Sequence, residues 1–313
     1  MAKGNVLLGY ARGKVGDLVF SRRNGEQITA ARNRHPHNPK TPKQIFQRMK
    51  MYAPVNLYRN AIATQFKYAF GDQKANETPF NAFMRKNIGA APFVSKELAA
   101  SYAPIPFEAM ISDGPIPSVS WQLASWSTSS DSTLNRWGVG INFGSDSTLD
   151  NGTVAEFTNN ILREYPYLRE GDMLTFVNLQ TEGLEIDGDL VNYDGVGGFI
   201  FQSAQIVLSL SDATLLSSLG LSTVWPQGGS ANPDAVALLG GGTTLDVGNI
   251  ARGGAIIVSR LDGGKVMAST ARVSLNQFAG DVYLKMTSET YRNIAALSYG
   301  VSTEPMLDPV KDY

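Results

Sequence analysis

Between Thr41 and Gly71 apolar side chains fall at Ile45, Met49, Tyr52, Leu57, Ala61, Ile62, Phe66 and Ala69. That spacing approximates the 3.6-residue period of a helix with one face toward a core. Its start is written locally, with Thr41 as N-cap, Pro42 at the first helical position and Gln44 three residues after the cap. Pro54 lacks the N–H that an interior helical residue needs, so it predicts a kink or a split. The stretch ETPFNAFMRKNIG predicts a second, shorter helix capped by Thr78, with Pro79 at its first position, Phe80, Phe83 and Met84 as its apolar face and Gly89 as its stop.

Ahead of these helices the pattern shifts to that of a hairpin. Lys14 to Arg22 and Glu26 to Arg32 flank Asn24-Gly25, the pair best suited to a two-residue turn, which would set Arg23 opposite Glu26 and Phe20 opposite Thr29. The connector NRHPHNPKTPKQ that follows holds three prolines, which bias it toward extended backbone.

From about Pro115 onward, runs rich in Val, Ile, Thr, Trp and Tyr alternate with Gly, Asp, Asn and Ser. The runs SVSWQLASW, RWGVGINF, DMLTFVNLQ, GFIFQSAQIVLSL, GAIIVSRL, KVMASTARVSL, DVYLKM and IAALSYG predict antiparallel strands. ILREYPYL is the one helical turn expected among them, and LLGGGTTLDVGNIARGG reads as a glycine-rich loop. SAQIVLSL and STARVSLN are alike enough to suggest a duplicated hairpin. The class expected is therefore α+β and mainly β: a basic hairpin arm, a short helical segment, and an antiparallel β-sandwich or jelly-roll-like body. The corresponding domains are residues 1–40, 41–110 and 111–313, with a place near 225–250 where the last would divide.

Charge changes this picture most. The chain of 313 residues carries a formal net charge of -1, yet residues 1–50 hold eleven Lys and Arg against Asp17 and Glu26, a net of +9 that leaves -10 for the rest. Cations on a hairpin, a stiff connector and a first helical turn can spread along a polyanion. Arg12, Lys14, Arg22, Arg23, Arg32, Arg34, Lys40 and Lys43 are the candidate binding residues, for nucleic acid or for an acidic neighbouring subunit. No recognition helix or zinc module accompanies them, so binding to nucleic acid would be without sequence preference.

Other chemistry is poorly provided for. The chain has no cysteine, and its two histidines, His35 and His37, lie in the proline-rich connector, so thiolate metal sites and Ser-His-Asp or Cys-His catalysis in the β body are excluded. Gly240 to Gly242 lacks the Lys and Ser/Thr of a phosphate-binding loop. Asp146 and Asp150, and the set Asp187, Asp189 and Asp194, could serve calcium but lack EF-hand spacing and read as polar turns. Trp121, Trp126, Trp137 and Trp225 would suit sugar stacking if exposed and core filling if not. No enzyme, cofactor or small-molecule substrate is called for. The start MAKGNVLLGYARGK is too short in apolar residues for a signal peptide core or membrane span, which implies cytoplasmic synthesis.

The segments GKVGDLVFSRRNGEQITAARN, NPKTPKQIFQR, TPFNAFMRKN and, far downstream, SRLDGGKVMASTARVSL and GDVYLKM together resemble an uncharacterised family associated with Bacteroidetes and their phages or mobile elements. The resemblance covers about a third of the chain. It implies an accessory or virion-associated protein and carries no established activity or functional residues to transfer. The layout of a basic arm before a β-rich body is also similar to that of small viral coat proteins. Together these imply a self-associating, non-enzymatic structural protein of a phage or virus particle or a related nucleoprotein assembly. The alternative is a carbohydrate- or surface-binding β module that uses exposed tryptophans.

Overall fold

A computed structural model of the chain describes residues 2–3, 13–23, 26–33, 41–59, 77–100, 105, 107–128, 135–182, 186–187, 192–193, 199–226, 232–240 and 249–301. The chain divides into two compact units, Met1–Thr41 and Pro42–Tyr313.

The first unit is an antiparallel sheet of β1 (Ala2–Lys3), β2 (Gly13–Val15), β3 (Leu18–Arg23) and β4 (Glu26–Ala31), in the order β1-β4-β3-β2. The register of β3 on β4 places Arg23 opposite Glu26 and Phe20 opposite Thr29, as the two-residue loop requires. Lys14 to Arg22, expected as one strand, is two. Gly16 adopts a φ of 57°, a left-handed value that glycine reaches without strain, and the chain turns there so that Val15 pairs with Leu18. The Arg32 N–H donates to the Asp17 carbonyl at 2.6 Å and ties β4 back to this turn.

The second unit opens with α1 (Pro42–Leu57), which begins where the sequence puts its first turn. The helix is not divided at Pro54. It runs on to Leu57, then passes into a π-type turn at Tyr58 and Arg59. The continuation expected toward Gly71 falls on residues 60–76, outside the described residues. α2 (Pro79–Asn87) has the expected cap, with the Thr78 hydroxyl accepting from the Asn81 N–H at 3.2 Å, Pro79 in the first turn, and Phe83 fully buried. α3 (Lys96–Ala100) and β5 (Met110–Ser112) follow.

Next come β6 (Gln122–Ser127), β7 (Asn135–Asn142), α4 (Val154–Glu164), β8 (Met173–Glu182), β9 (Ile186–Asp187), β10 (Asn192–Tyr193) and β11 (Phe199–Val207). After a 3₁₀ turn at Leu216–Leu219 the chain forms β12 (Ser222–Pro226), β13 (Ala235–Leu239), β14 (Asn249–Asp262), β15 (Lys265–Ala268), β16 (Ala271–Arg272) and β17 (Ser274–Leu275). It closes with α5 (Gln277–Thr287) and α6 (Glu289–Ser298).

These elements stack in layers about a central antiparallel sheet ordered β11-β8-β14-β15, with β17 also paired to β14. Side chains alternate across its pleat. Leu174 and Phe176 of β8, with Ile256 and Val258 of β14, enter a core shared with Val139 and Ile141 of β7, Leu238 of β13, and Phe157 and Ile161 of α4. Val177, Ala255 and Ile257 point the other way, into a core shared with Met49 and Ala53 of α1, Phe83 of α2, Met286 of α5 and Ala295 of α6. A sheet covered on both faces needs near-continuous apolar strands, which is why β14 reads GAIIVS. The protein is α+β and mainly β.

Strands β12, β13, β7 and β6 close into a small barrel. Trp126 fills it, with Val224, Ala235 and Ala237 around the ring, and its indole N–H donates to the Gly138 carbonyl at 3.0 Å. A side chain at Gly140 would run into that ring at 2.7 Å, so the glycine is what admits the tryptophan.

Two predicted strands are helices. DVYLKM lies in α5, and IAALSYG covers the second half of α6 and the turn that follows it. Asn276 caps the first by accepting from the Ala279 N–H at 2.9 Å, and Ser288 caps the second by accepting from the Tyr291 N–H at 3.2 Å. Behind those caps Ala279, Val282 and Met286 are buried at helical spacing, and that period overrides the local β preference of Val282 and Tyr283. Helix α4 begins seven residues before ILREYPYL. SAQIVLSL lies on and just past edge strand β11, whereas STARVSLN is broken into β16 and β17, so the two are not copies of one hairpin.

Candidate interaction surfaces: the basic arm and a groove on the first helix

Three of the eight candidate cations lie on the sheet of the first unit and a fourth directly follows it. Lys14 sits in β2, Arg22 and Arg23 end β3, and Arg32 follows β4. The ladder assigns positions Lys14 and Arg23 to one face and Arg22 to the other, because Lys14 pairs with Val19, four residues before Arg23. Lys43 stands in the first turn of α1, in the second unit. Arg12, Arg34 and Lys40, like His35 and His37, fall outside the described residues.

Lys14, Arg32 and Lys43 are exposed, and none enters an ion pair among the described residues. Lys50, further along α1, is different: its ammonium donates to the Gly89 carbonyl at 3.2 Å and lies 5.1 Å from the centre of the Phe93 ring, so its charge is engaged within the second unit. Val15 and Leu18 form an exposed apolar cross-strand pair beside Lys14, with Val15 68% accessible.

A second concave feature was not singled out in the sequence. Arg48, Met51, Val55 and Arg59 of α1 and its terminal turn, with Ala99 of α3 and Tyr299 just past α6, line a groove of about 400 Å³. Asn56 donates to the Tyr52 hydroxyl at 3.0 Å along the same wall. Burial pushes the Tyr299 phenol above its ordinary pKa, Glu97 adds to that, and Arg48 opposes it, so the neutral hydroxyl is favoured. The signal was present in the sequence: Arg48, Tyr52, Val55 and Arg59 recur at helical spacing in a stripe adjoining Ile45, Met49 and Ala53.

The remaining candidates are placed as follows. Trp126 is fully buried, Trp121 packs against both large cores, and Trp137 and Trp225 are partly buried. Trp121, Trp137 and Trp225 keep part of their surface accessible, and Trp126 does not. Asp146 and Asp150 are exposed in turns, Asp187 is in β9, and Asp189 and Asp194 lie outside the described residues. Among the described residues no group of three or more His, Asp or Glu is arranged to hold a metal ion, and no helix is long and apolar enough to cross a membrane. Gly240 follows β13, and Gly241 and Gly242 lie outside the described residues.

No family model, no curated protein and no solved structure matches this chain.

Proposed function

We propose that the protein is a self-associating, non-catalytic structural component of a phage or virus particle or a related nucleoprotein assembly, whose basic arm grips nucleic acid through its phosphates. The observation that carries this reading is the set of exposed cations, Lys14, Arg32 and Lys43, that enter no ion pair among the described residues, in a chain whose first fifty residues hold a net of +9. Many cations along one extended segment suit a repeating phosphate array better than a single carboxylate, and each phosphate neutralised releases condensed counterions. The opposite charge of the remainder favours a second reading, in which the arm of one copy meets the acidic body of the next and builds a head-to-tail assembly.

Fluorescence anisotropy with single- and double-stranded oligonucleotides of unrelated sequence tests the proposal. With roughly 6 to 10 phosphates engaged, affinity falls by about 10³ to 10⁵ between 50 and 200 mM salt, whatever the sequence. Replacing Lys14, Arg22, Arg23 and Arg32 by Glu abolishes that binding. If the same variant leaves oligonucleotide binding unchanged but lowers the mass seen by light scattering, the arm serves assembly and not the genome.

A further inference from the structure

The groove on α1 has exposed arginines at its two ends and an apolar floor between them, and neither arginine enters an ion pair among the described residues. Arg48 and Arg59 are eleven residues apart, roughly 16 Å along a helix axis. Between them Met51 is 39% accessible. Such a site is matched by an extended segment with apolar residues at its centre and carboxylates on either side.

The chain itself contains that segment. Residues 302–313 read STEPMLDPVKDY: Glu304 and Asp308 flank Met306 and Leu307, and the twelve residues hold three acids against one lysine. Four residues of extended chain separate two carboxylates by roughly 13 Å, within reach of two long arginine side chains set roughly 16 Å apart. Pro305 and Pro309 bias their neighbours toward extended backbone, which lowers the entropy lost on docking. The starting point is also right, because Tyr299 is a wall of the groove and Val301, two residues on, packs against the helical core.

We propose that residues 302–313 of the same chain dock into this groove, with Glu304 and Asp308 on Arg48 and Arg59 and with Met306 and Leu307 over Met51, Val55 and Ala99. Tethering makes the contact intramolecular, at an effective concentration in the millimolar range, so even weak pairwise interactions keep the groove occupied. The inference does not depend on what the basic arm binds.

The absence of cysteine gives a clean test on the full-length chain, because any introduced pair is unique. A Val55→Cys/Leu307→Cys double variant is oxidised mildly and followed on non-reducing gels, beside a Leu261→Cys/Leu307→Cys control whose first site is 72% accessible and away from the groove lining. The expected result is an intramolecular disulfide that forms at least ten-fold faster in the groove pair than in the control. Adding Arg48→Ala and Arg59→Ala, or Glu304→Lys and Asp308→Lys, slows it at least ten-fold; the second pair lies in the tail and leaves the groove intact. Equal rates in the two cysteine pairs, indifference to both charge changes, or crosslinks found only between copies would each overturn the proposal.

Discussion

Asp172 and Arg260 form a two-pronged ion pair at the base of the central sheet, with the guanidinium Nε and Nη2 donating to the two carboxylate oxygens at 2.7 and 2.6 Å. The pair fixes more than itself. Arg260 also donates to the Tyr167 carbonyl at 3.0 Å, and Asp172 accepts from the Arg169 N–H at 2.8 Å, so the turn between α4 and β8 is clamped to β14. Asp172 is almost wholly buried. Replacing it with alanine strands a guanidinium and is expected to cost about 3 to 5 kcal/mol, whereas removing both partners for apolar residues of similar size costs much less. Urea denaturation of Asp172→Ala and of Asp172→Leu/Arg260→Met separates the two; equal losses would mean the charge is not what matters.

Asn87 should be nearly as sensitive. It is buried at the end of α2, where its Oδ1 accepts from the Met110 N–H at 2.7 Å and its Nδ2 donates to the Met110 and Phe83 carbonyls at 2.9 and 3.0 Å. The side chain thus stands in for a neighbouring strand at β5. Asn87→Ala leaves buried backbone groups unpaired, at about 1 to 3 kcal/mol for each. Asn87→Asp keeps the acceptor but loses both donors and buries a carboxylate, so its melting temperature is expected to fall below that of the alanine variant.

The small barrel offers a packing test. Gly140→Ala puts a methyl group against the Trp126 ring and the Ala237 methyl, and overpacking of this kind costs about 1 to 3 kcal/mol. Trp126→Phe removes the atoms that collide, so the double variant is expected to be less destabilised than the sum of the two single changes. Guanidinium denaturation curves read this directly; strict additivity would show that glycine and tryptophan do not share one cavity.

Alkaline pH should loosen the second unit. Burial raises the pKa of Tyr291 above its ordinary 10.0, with opposing hydrogen bonds from Ser95, and burial likewise raises Tyr283 and Tyr299. Each phenol holds its proton more tightly folded than unfolded, so stability is constant below pH 10 and declines as pH rises from there through the folded values. Thermal midpoints measured from pH 8 to 11.5 are expected to be level and then fall. Tyr291→Phe should flatten the fall, and an unchanged slope would exclude that phenol.

Local grammar in the sequence carried far where one short signal sufficed. Asn24-Gly25 predicted the β3–β4 register residue by residue, and Pro42 and Thr78-Pro79 predicted two helix starts. Misreadings came where a short apolar run looked the same in either state. VYLKM and IAALS have strand-like composition, and only Asn276 and Ser288 ahead of them mark helices. Thr153 and Glu156 form a capping box that announces α4, a signal visible in GTVAEF. Strand β13 escaped notice because Ala235 and Ala237 are small to leave room for Trp126, and alanine carries no β signature. Of the interaction surfaces, the cations of the arm were legible as charge, but the groove needed Ala99 and Tyr299 brought to α1 from distant parts of the chain.

The core beneath the helices joins α1 to α5 and α6, elements separated by roughly 220 residues, and this has a consequence for biosynthesis. At about 5 to 20 residues per second, the ribosome makes Met49 and Ala53 roughly 12 to 48 seconds before Met286 and Ala295 exist to pack on them. The nascent chain therefore carries an amphipathic helix that lacks its α5 and α6 partners throughout that interval, and chaperone occupancy on stalled ribosomes should be higher before residue 277 than after residue 298 has emerged.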